Sequence, residues 1–258
     1  MEEKFVLKGQ DLSIPCKLTQ PNWGSIRRIV LGVHGFGGST DDTIQTAISE
    51  EMDLFYAATV RFDFPAHGQS PHTGDDLTVG NCITSLLTVA RYARQRFPDV
   101  EDLCIFATGF GAYITLLSLQ ELLEMPGKIR LVIQTPALLM HKTLLSMMRI
   151  SAQTLWAMER YTIKAPRPFD VTYSFYEELQ RHIALASYPI PMLILRAEED
   201  SFVPMSDVQN FSRINEQSKL VVIPGTSHQF RESGAWDMVL DLTRDWFDYE
   251  QVLLSDWS

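Results

Sequence analysis

An apolar run, Leu103-Cys104-Ile105-Phe106, leads through Ala107-Thr108-Gly109-Phe110-Gly111 straight into a second one, Ala112-Tyr113-Ile114-Thr115-Leu116-Leu117. The first run reads as a buried strand and the second as a helix, so the chain must turn from one into the other within a few residues. A turn that sharp needs small residues two before and two after its apex, where the backbones cross. Ala107 and Gly111 meet that demand when Gly109 is the apex. An apex at Thr108 would put Phe106 and Phe110 at the two tight positions, which is sterically poor. The apex therefore carries no side chain.

Strands and helices alternate on either side of this turn. Phe5–Leu7 and Leu12–Leu18 flank Gly9-Gln10-Asp11 as a hairpin. Continuous apolar runs at Arg28–Val33, Ala57–Phe62, Ile129–Gln134, Met192–Arg196 and Leu220–Ile223 read as buried parallel strands. Helical periodicity covers Thr43–Phe55, Leu77–Phe97, Met205–Asn215 and Gly234 to about Leu253. The expected fold is α/β, a mostly parallel sheet of about eight strands covered on both faces. Leu138 to Tyr188 breaks the rhythm: it reads as strandless, with amphipathic stretches at Leu144–Arg160 and Ser174–Leu185 joined by Ala165-Pro166-Arg167-Pro168. The expected organisation is a core of residues 1–137 and 189–258 with a small helical cap, residues 138–188, over the carboxyl edge of the sheet. Ligands bind open α/β sheets at that edge.

Composition narrows the partners. The 258 residues carry a net charge of −10 at 45% hydrophobic content, which argues against nucleic acid and anionic membranes as partners. No run reaches the roughly 18 apolar residues of a membrane span. The N-terminus, Met-Glu-Glu-Lys, lacks an apolar signal-like segment, and Cys16, Cys82 and Cys104 have no metal-type spacing. Cys82 and Cys104 fall in apolar patterns, which suits a reducing compartment, and a cytoplasmic location is expected. No cofactor is expected: the glycine clusters at Gly35–Gly38 and Gly109–Gly111 lack dinucleotide spacing, and no P-loop lysine is present. The acidic residues near the C-terminus, Asp237 to Asp256, read as a solvated face. Oligomeric state is not legible.

The polar motifs all follow strands. His34-Gly35-Phe36-Gly37-Gly38 closes the first buried strand, and its glycines allow backbone N–H groups to face a crevice. Asp63-Phe64-Pro65-Ala66-His67-Gly68-Gln69-Ser70 closes the next. Asp200 follows Leu193–Arg196, and His228 follows the last strand. Taken alone, Asp200 could cap a helix starting near Pro204, and His228 could be an ordinary loop residue.

In this order the motifs resemble the α/β-hydrolase family over essentially the whole chain, and within it the esterases, monoacylglycerol-lipase-like and serine-aminopeptidase-like proteins. The resemblance implies Asp200 as triad acid, His228 as triad base, and the N–H groups of Phe36 and Phe110 as oxyanion hole. It implies a buttressing role for the Asp63–Ser70 loop, with His67 structural. The departure is Gly109, at the position of the nucleophile, where such enzymes carry Ser, Cys or Asp. Three readings follow: a serine ester or amide hydrolase lineage without its nucleophile, a binding protein using the cap pocket, or a hydrolase in which His228 activates water. Thr108, Met140, Met147 and Trp156 are candidate substrate-binding residues, with Met148, Phe169, Phe175 and Tyr176 as further apolar lining. A small apolar acyl substrate fits that lining better than a peptide.

Overall fold

The computed structural model describes residues 1–248. Eight strands form one sheet: β1 (Glu2–Gly9), β2 (Leu12–Thr19), β3 (Arg28–Val33), β4 (Ala57–Phe62), β5 (Asp102–Thr108), β6 (Lys128–Gln134), β9 (Met192–Ala197) and β10 (Lys219–Ile223). Their spatial order is β1-β2-β4-β3-β5-β6-β9-β10. The opening hairpin is antiparallel, and β2 meets β4 antiparallel. From β4 to β10 every neighbour is parallel. The chain has the α/β-hydrolase fold.

Alternation along each central strand builds two cores. Ile29, Leu31 and Val33 of β3 join Ile105 and Ala107 of β5 in a cluster covered by α2 (Val79–Arg96) and α3 (Gly109–Leu117). Val30, Cys104 and Phe106 point the other way, against α1 (Thr43–Leu54) and α9 (Ala235–Asp248). Gly32 falls on that second face by alternation with Val30, and a Cβ there would stand 2.5 Å from the Gln45 side-chain oxygen. All three cysteines are buried and unpaired. Residues 249–253, the expected end of the last helix, lie outside the described residues, as do Glu250 and Asp256.

The segment between β6 and β9 differs from the expectation of a strandless insertion. It holds α5 (Met140–Met148), α6 (Ala152–Met158) and α7 (Tyr173–Arg181), but also a two-stranded hairpin, β7 (Arg160–Ile163) and β8 (Phe169–Thr172). The antiparallel register runs from Arg160 opposite Thr172 to Ile163 opposite Phe169, so the proline-rich stretch is the hairpin loop rather than a link between helices. The physical reason is period two: Phe169 and Val171 are buried, and Arg160 and Thr162 face water.

This segment is fastened to the sheet domain by named bonds. The Glu178 carboxylate accepts the Val79 and Gly80 N–H groups at the start of α2, at 2.9 and 3.3 Å. The Tyr113 hydroxyl donates to the His182 carbonyl at 2.9 Å. Arg167 donates to the Gly68 and Ser70 carbonyls. The remaining helix between β9 and β10 is α8 (Met205–Ile214), and a short helix α4 (Leu119–Leu123) follows α3.

Candidate active site

The turn after β5 sets the geometry of the site. Gly109 has φ +48°, whereas Thr108 is extended at φ −113°, so the left-handed corner falls on the glycine. A Cβ on Gly111 would stand 2.5 Å from the His34 carbonyl oxygen and 2.6 Å from that of Val33. The α3 backbone therefore crosses the end of β3 at contact distance, and only glycine fits. Gly109 is different: the nearest atom to a Cβ there is the Gly35 Cα at 4.0 Å. A side chain at 109 would have room; its cost would lie in the backbone angle.

Asp200 and His228 come from the loops after β9 and β10, which are parallel neighbours. His228 Nδ1 donates to Asp200 Oδ2 at 2.7 Å. The other carboxylate oxygen accepts the N–H groups of Phe202 and Val203 at 2.8 and 3.0 Å. Asp200 thus shapes its own turn and does not cap α8, whose cap is Pro204. Burial of the Asp200 side chain works against its charge, but the His228 hydrogen bond and charge and the two N–H groups outweigh it. The carboxyl is held below the usual carboxylate range. A carboxylate fixed on Nδ1 leaves Nε2 of neutral His228 as a free acceptor.

Phe36 and Phe110 are adjacent, their rings 5.4 Å apart and edge to face. Phe110 lies in the first turn of α3, where N–H groups have no intrahelical partner. The rings of Phe36 and Phe110 pack with Phe175, and Phe36 also meets Phe169. His67 sits among these rings, 4.5 Å from Phe169 and 5.4 Å from Phe36. Burial, helped by the His34 charge, pushes the His67 imidazole down to about 3, and burial pushes His34 down to about 4. His34 Nε2 accepts the Phe64 N–H at 3.2 Å, so these two histidines brace the first two loops. Asp63 does the same, accepting the N–H groups of Thr40 and Gln69 at 2.7 and 2.8 Å.

A cleft of about 310 Å³ lies over this edge of the sheet, and Phe36, Thr108, Gly109, Phe110 and His228 all line it. Met140 and Met147 line it too. Trp156 does not: it is 63% exposed on α6, which turns only Leu155 inward. Met148, Phe169, Phe175 and Tyr176 are likewise not lining residues but are packed in the core behind the cleft. The sequence reading missed Asp42, Gln134, Thr135, Arg231 and Trp236, which are also part of the wall. Gln134 carried one available signal, its position as the last residue of a parallel strand. Burial pushes the Asp42 carboxyl up to about 6; a backbone hydrogen bond at Ser39 opposes this, and the charges of Asp63 and Asp41 add to it. Among the described residues no group of three or more His, Cys, Asp or Glu is placed to hold a metal ion.

No protein-family model matches the sequence, and no curated protein matches it. Solved structures do. A hydrolase-like protein from Agrobacterium vitis S4 superposes with a TM-score of 0.81 at 17% identity, covering 96% of this chain and 100% of its own. Est1E from Butyrivibrio proteoclasticus, bound to ferulic acid, has a TM-score of 0.76 at 20% identity over 93% of this chain and 96% of its own. Alpha/beta hydrolase domain-containing protein 10 from mouse has a TM-score of 0.72 at 16% identity over 99% and 100%. These likenesses are of fold.

Proposed function

We propose that this chain descends from serine ester or amide hydrolases and keeps the general base and oxyanion donors while Gly109 stands in place of the nucleophile. The observation that carries the reading is the apex itself. A side chain at 109 would enter a cleft also lined by His228, with 4.0 Å to its nearest neighbour. In this reading Asp200 holds the His228 tautomer, Nε2 is the base, and the Phe36 and Phe110 N–H groups receive the developing oxyanion. The substrate is a small apolar acyl compound, with Thr108, Met140 and Met147 against it and residues 138–188 acting as a cap.

Without a hydroxyl at the apex, no covalent acyl-enzyme forms there. Loss of a nucleophile that works as a unit with its base removes about 10⁶ in kcat, leaving about 10³–10⁴ over the uncatalysed reaction. The free space at Gly109 favours a second reading: a water there, deprotonated by His228, attacks the acyl carbon directly.

Labelling with a fluorophosphonate and hydrolysis of p-nitrophenyl butyrate test the proposal on the native chain and on Gly109→Ser. The native chain is expected to be unlabelled and nearly inactive. Gly109→Ser is expected to label and to hydrolyse the ester, and adding His228→Ala should abolish both. A folded Gly109→Ser protein that does neither overturns the proposal, and labelling of the native chain at Thr108 would show that the apex is misplaced. Slow native hydrolysis without labelling, lost in His228→Ala, selects the water mechanism.

A further inference from the structure

Beneath the loop that carries Asp200 lies a charged side chain that the chemistry above does not use. Arg196, next to last in β9, is 2% exposed. By alternation it follows Met192 and Ile194 towards the core that also takes Val203 and Val208. A guanidinium keeps its charge when buried, and a buried charge ordinarily takes a carboxylate as partner. Here the hydrogen bonds of the group, among the described residues, all go to backbone carbonyls. Nη1 donates to Glu198 at 3.2 Å, and Nη2 donates to Val203 at 2.8 Å and to Asp200 at 3.4 Å. Nε has no partner. All three carbonyls belong to the Asp200 loop.

The pattern closes the turn from both sides. Val203 gives its N–H to Asp200 Oδ1 and offers its carbonyl to Arg196. Asp200 offers its carbonyl to Arg196 as well, which leaves Oδ2 to His228 Nδ1. An arginine bound to the carboxylate itself would compete with His228; one bound to the carbonyls does not. The carbonyls are reached through two different nitrogens, a span that the single ammonium of a lysine lacks. The loop bearing His228 is tied to the same frame. The Glu198 carboxylate accepts the Gly225 N–H at 2.8 Å, and the Glu199 N–H donates to the Thr226 carbonyl at 2.8 Å.

We propose that Arg196 is a positioning residue: its buried fork gathers the Glu198, Asp200 and Val203 carbonyls and so fixes the turn from which Asp200 holds the His228 proton on Nδ1. This deepens the proposed function, in which His228 is the base, and rests on that reading for its purpose. Its geometry and its test need only the Asp200–His228 bond, with no nucleophile at 109.

Long-range ¹H–¹⁵N correlation on ¹⁵N-histidine-labelled protein reads the tautomer of each ring through its carbon-bound protons, at a pH where the rings are neutral. His34 and His67, whose Nδ1 atoms donate to the Gly35 and Pro65 carbonyls at 2.8 Å, serve as references from the first two loops. His228 is assigned by its loss in His228→Gln. In Arg196→Met the His228 signals are expected to move from the Nδ1–H form towards the Nε2–H form that a free imidazole prefers, while His34 and His67 stay in place. Arg196→Lys should show the same movement, because restoring the charge does not restore the fork.

A folded Arg196→Met protein with His228 unmoved and only a lower urea midpoint overturns the proposal, since the guanidinium then serves stability alone. Full retention of the native tautomer in Arg196→Lys also overturns it, since a point charge then suffices. One measurement needs no variant: the Nη–H groups of native Arg196, held on both nitrogens, should give separate resonances, and a single averaged signal overturns the fork. None of these results bears on the Gly109→Ser labelling, so failure here and failure of the proposed function remain distinct.

Discussion

Two buried imidazoles illustrate how single residues set the tolerance of this protein to acid. His67 and His34 are held near 3 and near 4 by burial, far below the ordinary imidazole value of 6.5. In the unfolded chain they take up protons at about 6.5, so the unfolded state binds more protons than the native state below that pH. Their neutral burial is harmless above about pH 6.5. As pH falls from there, each withdraws stability at about 1.4 kcal/mol per pH unit until its folded-state value is reached. Asp42, raised to about 6, acts with the opposite sign between its unfolded value and 6: it withdraws stability as pH rises. Comparing urea unfolding of the native chain and His67→Phe from pH 7 to 4 isolates the histidine. The variant should show the shallower decline, and identical slopes would show that His67 is protonated in the fold.

The same scale explains why part of the site was legible in the sequence and part was not. Ala107, Gly109 and Gly111 announce the turn because steric demand there leaves few residue types, and the crowding around Gly111 is the physical form of that demand. Trp156 is the converse. Aromatic character says that a residue gains from burial but not which way its helix is rolled, and α6 turns it to water. Gln134 gave only a faint signal for a different reason: its place at the end of a parallel strand marks the ligand edge of the sheet, but a glutamine there is otherwise an ordinary strand end.

Among the elements, the sheet strands were the easiest to read. β4 and β3 match their apolar runs residue for residue, since strands buried on both faces need no alternation to be recognised. The β7–β8 hairpin was missed because its four-residue strands lie between helices, where a short period-two pattern is easily absorbed into a helical one. Its neighbour α7 supplies a prediction. The Glu178 carboxylate closes the amino end of α2, joining two N–H groups that the helix cannot satisfy and meeting the positive end of its dipole. Glu178→Ala is expected to cost about 1.5–3 kcal/mol, as for other charged hydrogen-bond acceptors. Hydrogen exchange should localise the loosening to the start of α2 and to α7. Loosening confined to α7 alone would mean that Thr78, whose hydroxyl accepts the Asn81 N–H at 3.0 Å, suffices as cap.

At the scale of the molecule, the parallel strands occupy the centre and the weakest pairing lies at the rims. β3, β5 and β6 are flanked by strands on both sides and covered by helices on both faces, whereas β1 and β10 each have one strand neighbour. Native-state hydrogen exchange should therefore rank β3, β5 and β6 as the last to open, at the global unfolding free energy, with β1 and β10 opening earlier. Protection of β1 equal to that of β5 would contradict this order. Among the described residues no helix is long and apolar enough to cross a membrane.

The unequal crowding of two glycines two residues apart also has a genetic meaning. Some glycine codons reach a serine codon by a single base change, at 109 as at 111. At 111 that change drives an atom into two carbonyl oxygens, so the lineage cannot pass through it. At 109 the same change meets open space and asks only for a left-handed serine, a strain of about 1–3 kcal/mol. The crossing that fixes the scaffold is thus closed to drift, while position 109, the nucleophile position of the proposed function, stands one base change from a hydroxyl whenever its codon is GGU or GGC.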